Sequence, residues 1–456
     1  VPLARQNGAP VMGRVAGGDS SRNRANRVEV SGGILLEKGF GEQRMSRLAI
    51  EGGEPVRKSP LPPRLLIGRE ERDAVLNLFD RVMTGGGAFD RYGGVEVDAY
   101  EKEFAAFCGV TFATATSSGT AAIHAAIGAL NLEPGSEIVS APITDPGAIA
   151  PVLMQNCIPT FADTDPETFN MTAEGIEKVL SDRTRAIVVG HIAGEPADMD
   201  PIMDLATRHR LVVIEDASQA HAATYRGRMC GTIGHIGAFS TMSGKHHTTG
   251  GQGGLVVTND EEIHWNAKRF ADRGKPFNSS APDNLFLGLN YRMTELEAAI
   301  GRVQLKKLPA IVEARRRFVA RLGKGIAGCK AVRLGKIVEG ANPTYWFGRL
   351  GVDVSAITVD KAQFVRALAA EGVPCSEKYV TVMYKQHWIA RRRTYGRSGC
   401  PWTCPHARKI DYANGCPNAE QALAKYMTLH FHEGLDESEA DLFAEAILKV
   451  ERAYLR

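Results

Sequence analysis

The chain predicts an α/β fold: a mostly parallel sheet flanked by helices, followed by a smaller α+β region. Three observations carry this reading. From about residue 70 to 260, apolar runs of strand length alternate with helical patterns. Two of those runs end on groups suited to a ligand at the carboxyl end of a strand, Ser117-Ser118-Gly119-Thr120 and Glu215-Asp216. At 456 residues the chain is long enough for two domains.

Taken in order, residues 1–44 are rich in Gly, Arg, Asn and Ser and show little apolar periodicity. They read as an extension appended to the globular body, with Met45 a natural start. If ordered, this arm would dock on a neighbouring subunit. Helices are expected at 69–84 and 97–108. Strands are expected at 111–116, 137–143, 159–163, 185–189, 211–215, 237–241 and 254–258, with helices between them at 120–130, 173–180 and 199–208. A helix at 295–308 and a basic helix after Pro309 read as a connector, which places one domain at 45–310 and a smaller one at 311–456. The second part shows a strand-like stretch at 345–354 and helices at 361–371 and 437–454. Its segment 386–418 is polar, basic and rich in Gly, Pro and aromatics. A loop of that length is usually functional.

Bulk composition removes several classes. The chain is 44% hydrophobic and 23% charged, as in ordinary globular proteins, and no apolar run is long enough to span a membrane. The net charge is +3. Residues 1–44 hold seven basic and four acidic side chains, which leaves 48 of each sign in the remainder. A neutral body argues against nucleic-acid binding. Eight dispersed cysteines in a long chain suit a reduced, cytoplasmic protein better than a disulfide framework.

Three pieces carry chemistry. Ser117-Ser118-Gly119-Thr120 ends a strand and opens a helix, where free N–H groups and the helix dipole favour an anion such as a phosphate. Glu215-Asp216 ends an apolar strand; side chains alternate, so one of the two can face a ligand. Such a carboxylate can hold a pyridine nitrogen protonated, and Gln219 could meet a ring hydroxyl. Lys245 follows a third strand among small residues, with Ser240 just before it. A lysine there can bind an aldehyde as a Schiff base and later move protons. Together the pieces are what a pyridoxal phosphate enzyme needs. Each alone has a plainer reading, as a capped helix, a loop acid or a solvated lysine. His246 and His247 diverge as neighbours and read as no metal site. His191 and His221 read as packed or pocket-lining. Cys400, Cys404 and Cys416, with His406, have irregular spacing and read as thiols rather than a zinc site. Arg315-Arg316-Arg317 and Arg391-Arg392-Arg393 read as solvated faces, the second also as a possible grip on an anionic substrate.

With those residues in view, the chain resembles the DegT/DnrJ/EryC1/StrS aminotransferases from about Met45 onward. The resemblance rests on Ser118-Gly119-Thr120, Phe161-Ala162-Asp163, Glu215 to His221, Gly231 to Ser240, Lys245, Asn290-Tyr291-Arg292-Met293 and Gln304-Leu305. It implies a fold type I pyridoxal phosphate enzyme, with a three-layer αβα domain around a mostly parallel seven-stranded sheet. It implies pyridoxal 5′-phosphate as cofactor and Lys245 as its aldimine lysine. Asp216 would face the ring nitrogen, Gln219 the ring hydroxyl, and Gly119, Thr120 and Ser240 the phosphate. Asn290 is similar to the residue that reaches the phosphate from a partner subunit, with Arg292 nearby, so a homodimer with shared sites is expected. The activity implied is transfer of an amino group from glutamate or glutamine to a keto sugar or keto cyclitol. A dehydratase and a non-catalytic regulator are the alternatives. Lysine rather than histidine at position 245 favours transamination, and no appended basic module points to DNA. Three positions depart from the pattern. Asp145-Pro146 stands where an aromatic usually stacks on the ring, Gly250-Gly251-Gln252-Gly253-Gly254 replaces a shorter motif, and Ala222 follows His221.

Overall fold

The computed structural model describes residues 47–90, 94–413 and 415–456. The expected N-terminal extension and Met45 lie outside them. From Ser46 on, the chain forms one unit.

Helices α1 (Arg69–Met83) and α2 (Val95–Cys108) come first. There follow β1 (Phe112–Thr116), α3 (Gly119–Ala129), β2 (Glu137–Ser140), α4 (Pro146–Met154), β3 (Ile158–Phe161), α5 (Ala173–Glu177), β4 (Thr184–Gly190), α6 (Met199–His209) and β5 (Val212–Asp216). Two short strands, β6 (Thr224–Tyr225) and β7 (Arg228–Met229), precede β8 (Ile236–Ser240), β9 (Gly254–Thr258) and α7 (Glu261–Phe270). The seven expected strands therefore form, within a few residues of their expected ends. They assemble one sheet in the order β1-β9-β8-β5-β4-β2-β3. Only β9 runs against the others. The strands are apolar because both faces are covered: Ile138, Val188 and Ile214 pack with α3, while Val139, Ile187 and Val213 pack with α6. The order brings the ends of β1, β5 and β8 to one edge of the sheet. Ser240 pairs with Gly254, Gly254 with Thr116, and Asp216 with Ala238.

Two helices of this part of the chain have no counterpart among the sequence expectations. Helix α4 opens at Pro146 and contains Pro151, and its remaining residues are largely apolar and buried, so no polar face marks a period. Helix α7 is short but carries its cap, the Asp260 side chain accepting from Ile263 N.

Beyond it, α8 (Glu295–Gly325) corrects an expectation. It is one 31-residue helix that runs through Pro309 and across the expected domain boundary at 310, rather than two helices. Buried Leu305, Leu308, Ile311 and Val312 flank the proline and hold both halves on the core. After α8 come β10 (Val332–Leu334), β11 (Ala341–Asn342), β12 (Gly348–Val352), α9 (Lys361–Ala370), β13 (Cys375–Ser376), α10 (His387–Ala390), α11 (Pro417–Lys425), β14 (Tyr426–Leu429) and α12 (Glu437–Tyr454). Four of these strands make an antiparallel sheet, β10-β12-β14-β13.

The segment 386–418 does not hang as an open loop. The Tyr412 hydroxyl donates to the Pro159 carbonyl at 2.7 Å, Arg408 pairs with Glu137 at 2.6 Å, and Ile389, Trp402 and Ile410 pack with Ile158 and Phe161. It covers β3, the outer strand, whose free groups would otherwise invite pairing with another chain. Arg392 spends a donor on the Ile410 carbonyl within the same segment.

Candidate active site

The edge where β1, β5 and β8 end collects most of the residues singled out in the sequence. At the end of β5 the two acids part, as alternation requires. Glu215 is fully buried and accepts from Gly231 N, Ile233 N, Gly234 N and the His191 ring. The His191 Nδ1 accepts from Ala197 N at 3.1 Å, so its proton sits on Nε2 and points at Glu215. Asp216 faces the other way and is half-buried, with Oδ1 accepting from Ser218 N at 3.1 Å. Gln219 is fixed at both ends. Its Oε1 accepts from Ala193 N at 2.8 Å and its Nε2 donates to the Tyr379 hydroxyl at 2.8 Å, which leaves one N–H over.

Lys245 lies on the loop after β8. It is 7% exposed, and its Nζ sits 3.8 Å from the ring centroid of Trp346. Burial lowers its pKa to about 8, against the pull of the Asp216 and Asp145 carboxylates. An amine so placed is partly unprotonated near neutral pH, the state a nucleophile needs.

At the end of β1, the Ser118 side chain caps α3 by accepting from Ala121 N at 3.1 Å, leaving the amides of Gly119 and Thr120 at the helix mouth. A side chain at 119 would not fit, since its Cβ would lie 2.5 Å from that of Ser240. Gly119 and Ser240 thus share one wall, and Thr120 stands exposed beside them.

Asp145 is an N-cap, accepting from Gly147 N at 2.8 Å, with Pro146 at the first helical position. The departure Asp145-Pro146 is therefore a helix start. Aromatic walls come instead from Trp346 and Tyr379, whose rings meet edge to face at 6.1 Å. Both escaped the sequence reading. They lie 101 and 134 residues beyond Lys245 and carry no local motif.

Asn290 is exposed, and Arg292 is ion-paired with Asp272 and Asp90 at 2.6 and 3.0 Å. The Tyr291 carbonyl between them accepts from Ser117 N, so this segment runs alongside the end of β1. His221, His246 and His247 are buried, and burial holds all three below the ordinary histidine range. No group of three His, Cys, Asp or Glu side chains among the described residues is arranged to hold a metal. Cys416 is buried with its thiol toward the Phe161 carbonyl. Arg315 is not solvated as expected: it is buried and paired with Glu433 at 3.0 Å. Successive residues of a helix point about 100° apart, so a three-residue run cannot share one face.

Residues 70–448 match the DegT/DnrJ/EryC1/StrS aminotransferase family, and the chain belongs to it. Among curated relatives, it is 35% identical to GDP-perosamine synthase of Caulobacter vibrioides over 70% of this chain and 83% of that one. It is 31% identical to the L-glutamine:2-deoxy-scyllo-inosose aminotransferase of Streptomyces paromomycinus over 89% and 97%. Among solved structures, the aminotransferase of Psychrobacter cryohalolentis superposes with a TM-score of 0.73 at 32% identity, covering 85% and 97%. The fold is that of the fold type I pyridoxal phosphate enzymes.

Pyridoxal 5′-phosphate needs a reactive amine, an anion cradle and a carboxylate for its ring nitrogen. This edge of the sheet supplies all three: a buried amine at Lys245, a helix mouth where only glycine fits at 119, and the carboxylate of Asp216.

Proposed function

We propose that the chain transfers an amino group from glutamine or glutamate to a keto sugar or keto cyclitol, alternating between the two substrates in a ping-pong cycle. The observation that carries this is Lys245: an amine 7% exposed on the loop after β8, its Nζ 3.8 Å from the Trp346 ring centroid, which burial holds below the ordinary lysine range. The names of the relatives support the substrate class and the glutamine donor. When bound, pyridoxal phosphate supplies an aldehyde that condenses with amines and a ring that draws electron density. Lys245 Nζ would hold the cofactor at rest and, when free, would move the proton at the donor's α-carbon. Asp216 would hold the ring nitrogen's proton. Gly119 N, Thr120 and Ser240 would hold the phosphate, and the remaining Nε2 proton of Gln219 would serve the ring hydroxyl.

We assign a homodimer in which Asn290 and Arg292 reach the partner's phosphate site. Supporting this, Phe79 and Met83 on α1, and Phe286, Leu287 and Leu289 just before Asn290, expose large apolar side chains. We place the protein in the cytoplasm, in keeping with its eight unpaired cysteines and with the lack, among the described residues, of any helix long and apolar enough to cross a membrane.

The test is direct. Lys245→Ala should lose the visible absorbance of lysine-linked cofactor together with turnover, and glutamine should convert the wild-type cofactor to its amine form. A panel of amino sugars and aminocyclitols, run in reverse, then identifies the acceptor. Normal transamination by Lys245→Ala would sink the assignment.

A further inference from the structure

The segment Leu61-Pro62-Pro63-Arg64-Leu65 inverts the usual sorting of side chains. Leu65 is 84% exposed, while the Arg64 side chain is only 20% exposed. An arginine drawn in where a leucine is left out is placed for its donors. Arg64 Nη2 donates to the Lys245 carbonyl at 2.7 Å, and Nη1 to the Ser243 carbonyl at 3.3 Å. Between them, the Gly244 carbonyl accepts from Trp346 Nε1 at 2.9 Å. Three successive carbonyls of the lysine loop are thus each held by a side chain from elsewhere in the chain.

The grip is itself braced. Arg64 Nε donates to Glu433 Oε1 at 2.8 Å, and Glu433 Oε2 accepts from Arg315 Nε at 3.0 Å. Arg315 donates in turn to the carbonyls of Tyr345 and Trp346 at 2.9 and 3.3 Å. One network therefore fixes both the loop and the tryptophan whose ring meets the lysine amine. The segment bearing Arg64 is tied on each side, by His432 at the Pro62 carbonyl (3.0 Å) and Gln304 at the Leu66 carbonyl (2.8 Å). Pro62-Pro63 adds a stiff backbone.

We propose that Arg64 is a positioning residue for Lys245: braced by Glu433, its guanidinium aims the lysine by gripping the main chain on either side of Gly244. The proposal rests on the reading of Lys245 as the cofactor's lysine. The hairpin bonds of the loop reach as far as Ser243 N, which donates to the Gly251 carbonyl at 3.0 Å; beyond it Arg64 and Trp346 hold the carbonyls that flank the lysine, and misplacement by about 1 Å can cost about 100-fold in rate.

The test uses Arg64→Gln, which removes the fork. In cofactor-free protein, Lys245 is titrated by NMR after isotopic methylation. Asp216, Asp145 and His221 act on it and remain in place, but Arg64→Gln also removes the cation bonded to the Lys245 carbonyl, which by itself raises the midpoint; Arg64→Lys, which keeps the charge but cannot span both carbonyls, must therefore shift it too. A loosened loop lets water reach the amine, so its midpoint should rise from about 8 by about one pH unit or more toward 10.5. In the holoenzyme, kcat should fall about 10- to 100-fold with KM for the amino donor little changed. If Arg64→Gln does not fold, Arg64→Lys keeps the pair with Glu433 but cannot span both carbonyls, and should give an intermediate shift. A folded variant whose Lys245 titrates as in wild type, with any loss confined to thermal stability, overturns the proposal. Failure of the underlying reading looks different: wild-type protein would form no lysine-linked absorbance with pyridoxal phosphate, while the titration of Lys245 would still report on Arg64.

Discussion

Replacing Lys245 by methionine should make the cofactor-free protein more stable at neutral pH. The side chain is 7% exposed, and burial brings its pKa from 10.5 to about 8. Below pH 8 the folded protein thus carries a buried charge. At about 1.4 kcal/mol per pH unit, holding that proton costs about 3 kcal/mol relative to the unfolded chain. That cost is net of the attraction between the ammonium and the Trp346 ring 3.8 Å away. Methionine keeps the apolar stem and removes the charge, so a gain of up to about 3 kcal/mol is expected. The sign with pH follows from linkage. Between pH 8 and 10.5 the unfolded lysine still holds its proton while the folded one has released it. Wild-type stability therefore rises through that window relative to the variant, and the gap closes. Denaturant unfolding of both proteins at pH 7, 8.5 and 10, at one protein concentration, reads the difference. A variant no more stable at pH 7, or a gap that stays constant up to pH 10, would refute the reasoning.

Asp216→Asn should leave the fold intact and the cofactor bound, while kcat falls about 100-fold or more for want of the charge that stabilises the ring proton; stopped-flow half-reactions measure it. Glu215→Gln acts on stability instead. Its amide would set two N–H groups among four donors already aimed at that carboxylate, a loss of about 2–4 kcal/mol by urea unfolding. Gly119→Ala should weaken cofactor binding about tenfold or more in a fluorescence titration, because the new carbon would lie 2.5 Å from Ser240 Cβ and push one wall of the anion cradle outward.

Where local pattern decides structure, the sequence is legible. The seven strands of the main sheet are buried on both faces, and each reads as a short apolar run bounded by turns. The 18-residue helix α12 is legible to its full bounds because its amphipathic period is unbroken and Asp436 caps it. Helix α4 was hidden by the opposite property: it is apolar all round and holds two prolines. The two-residue strands β6, β7, β11 and β13 have no period to find. Segment 386–418 looks like a free loop by composition, and only the uncovered edge of β3, more than 220 residues earlier, gives it a place.

The same contrast runs through the site. Glu215 and Asp216 are neighbours on a strand, so fixing one carboxylate on its face fixes the other on the opposite face. Four donors pin Glu215, and a residue with no part in the chemistry thereby settles where Asp216 stands. That half of the site is rigid through the sheet ladder, and period two makes it readable. Lys245 lies past the end of β8, two residues beyond the last cross-strand bond, from Ser243 N to the Gly251 carbonyl. From there its carbonyl side is held by donors from Arg64 and Trp346, 181 and 101 residues away in the chain. Nothing in the run Thr241-Met242-Ser243-Gly244-Lys245 announces those partners, because small, turn-forming residues specify freedom rather than direction. The lysine can be picked out from sequence; what aims it can be found only in three dimensions.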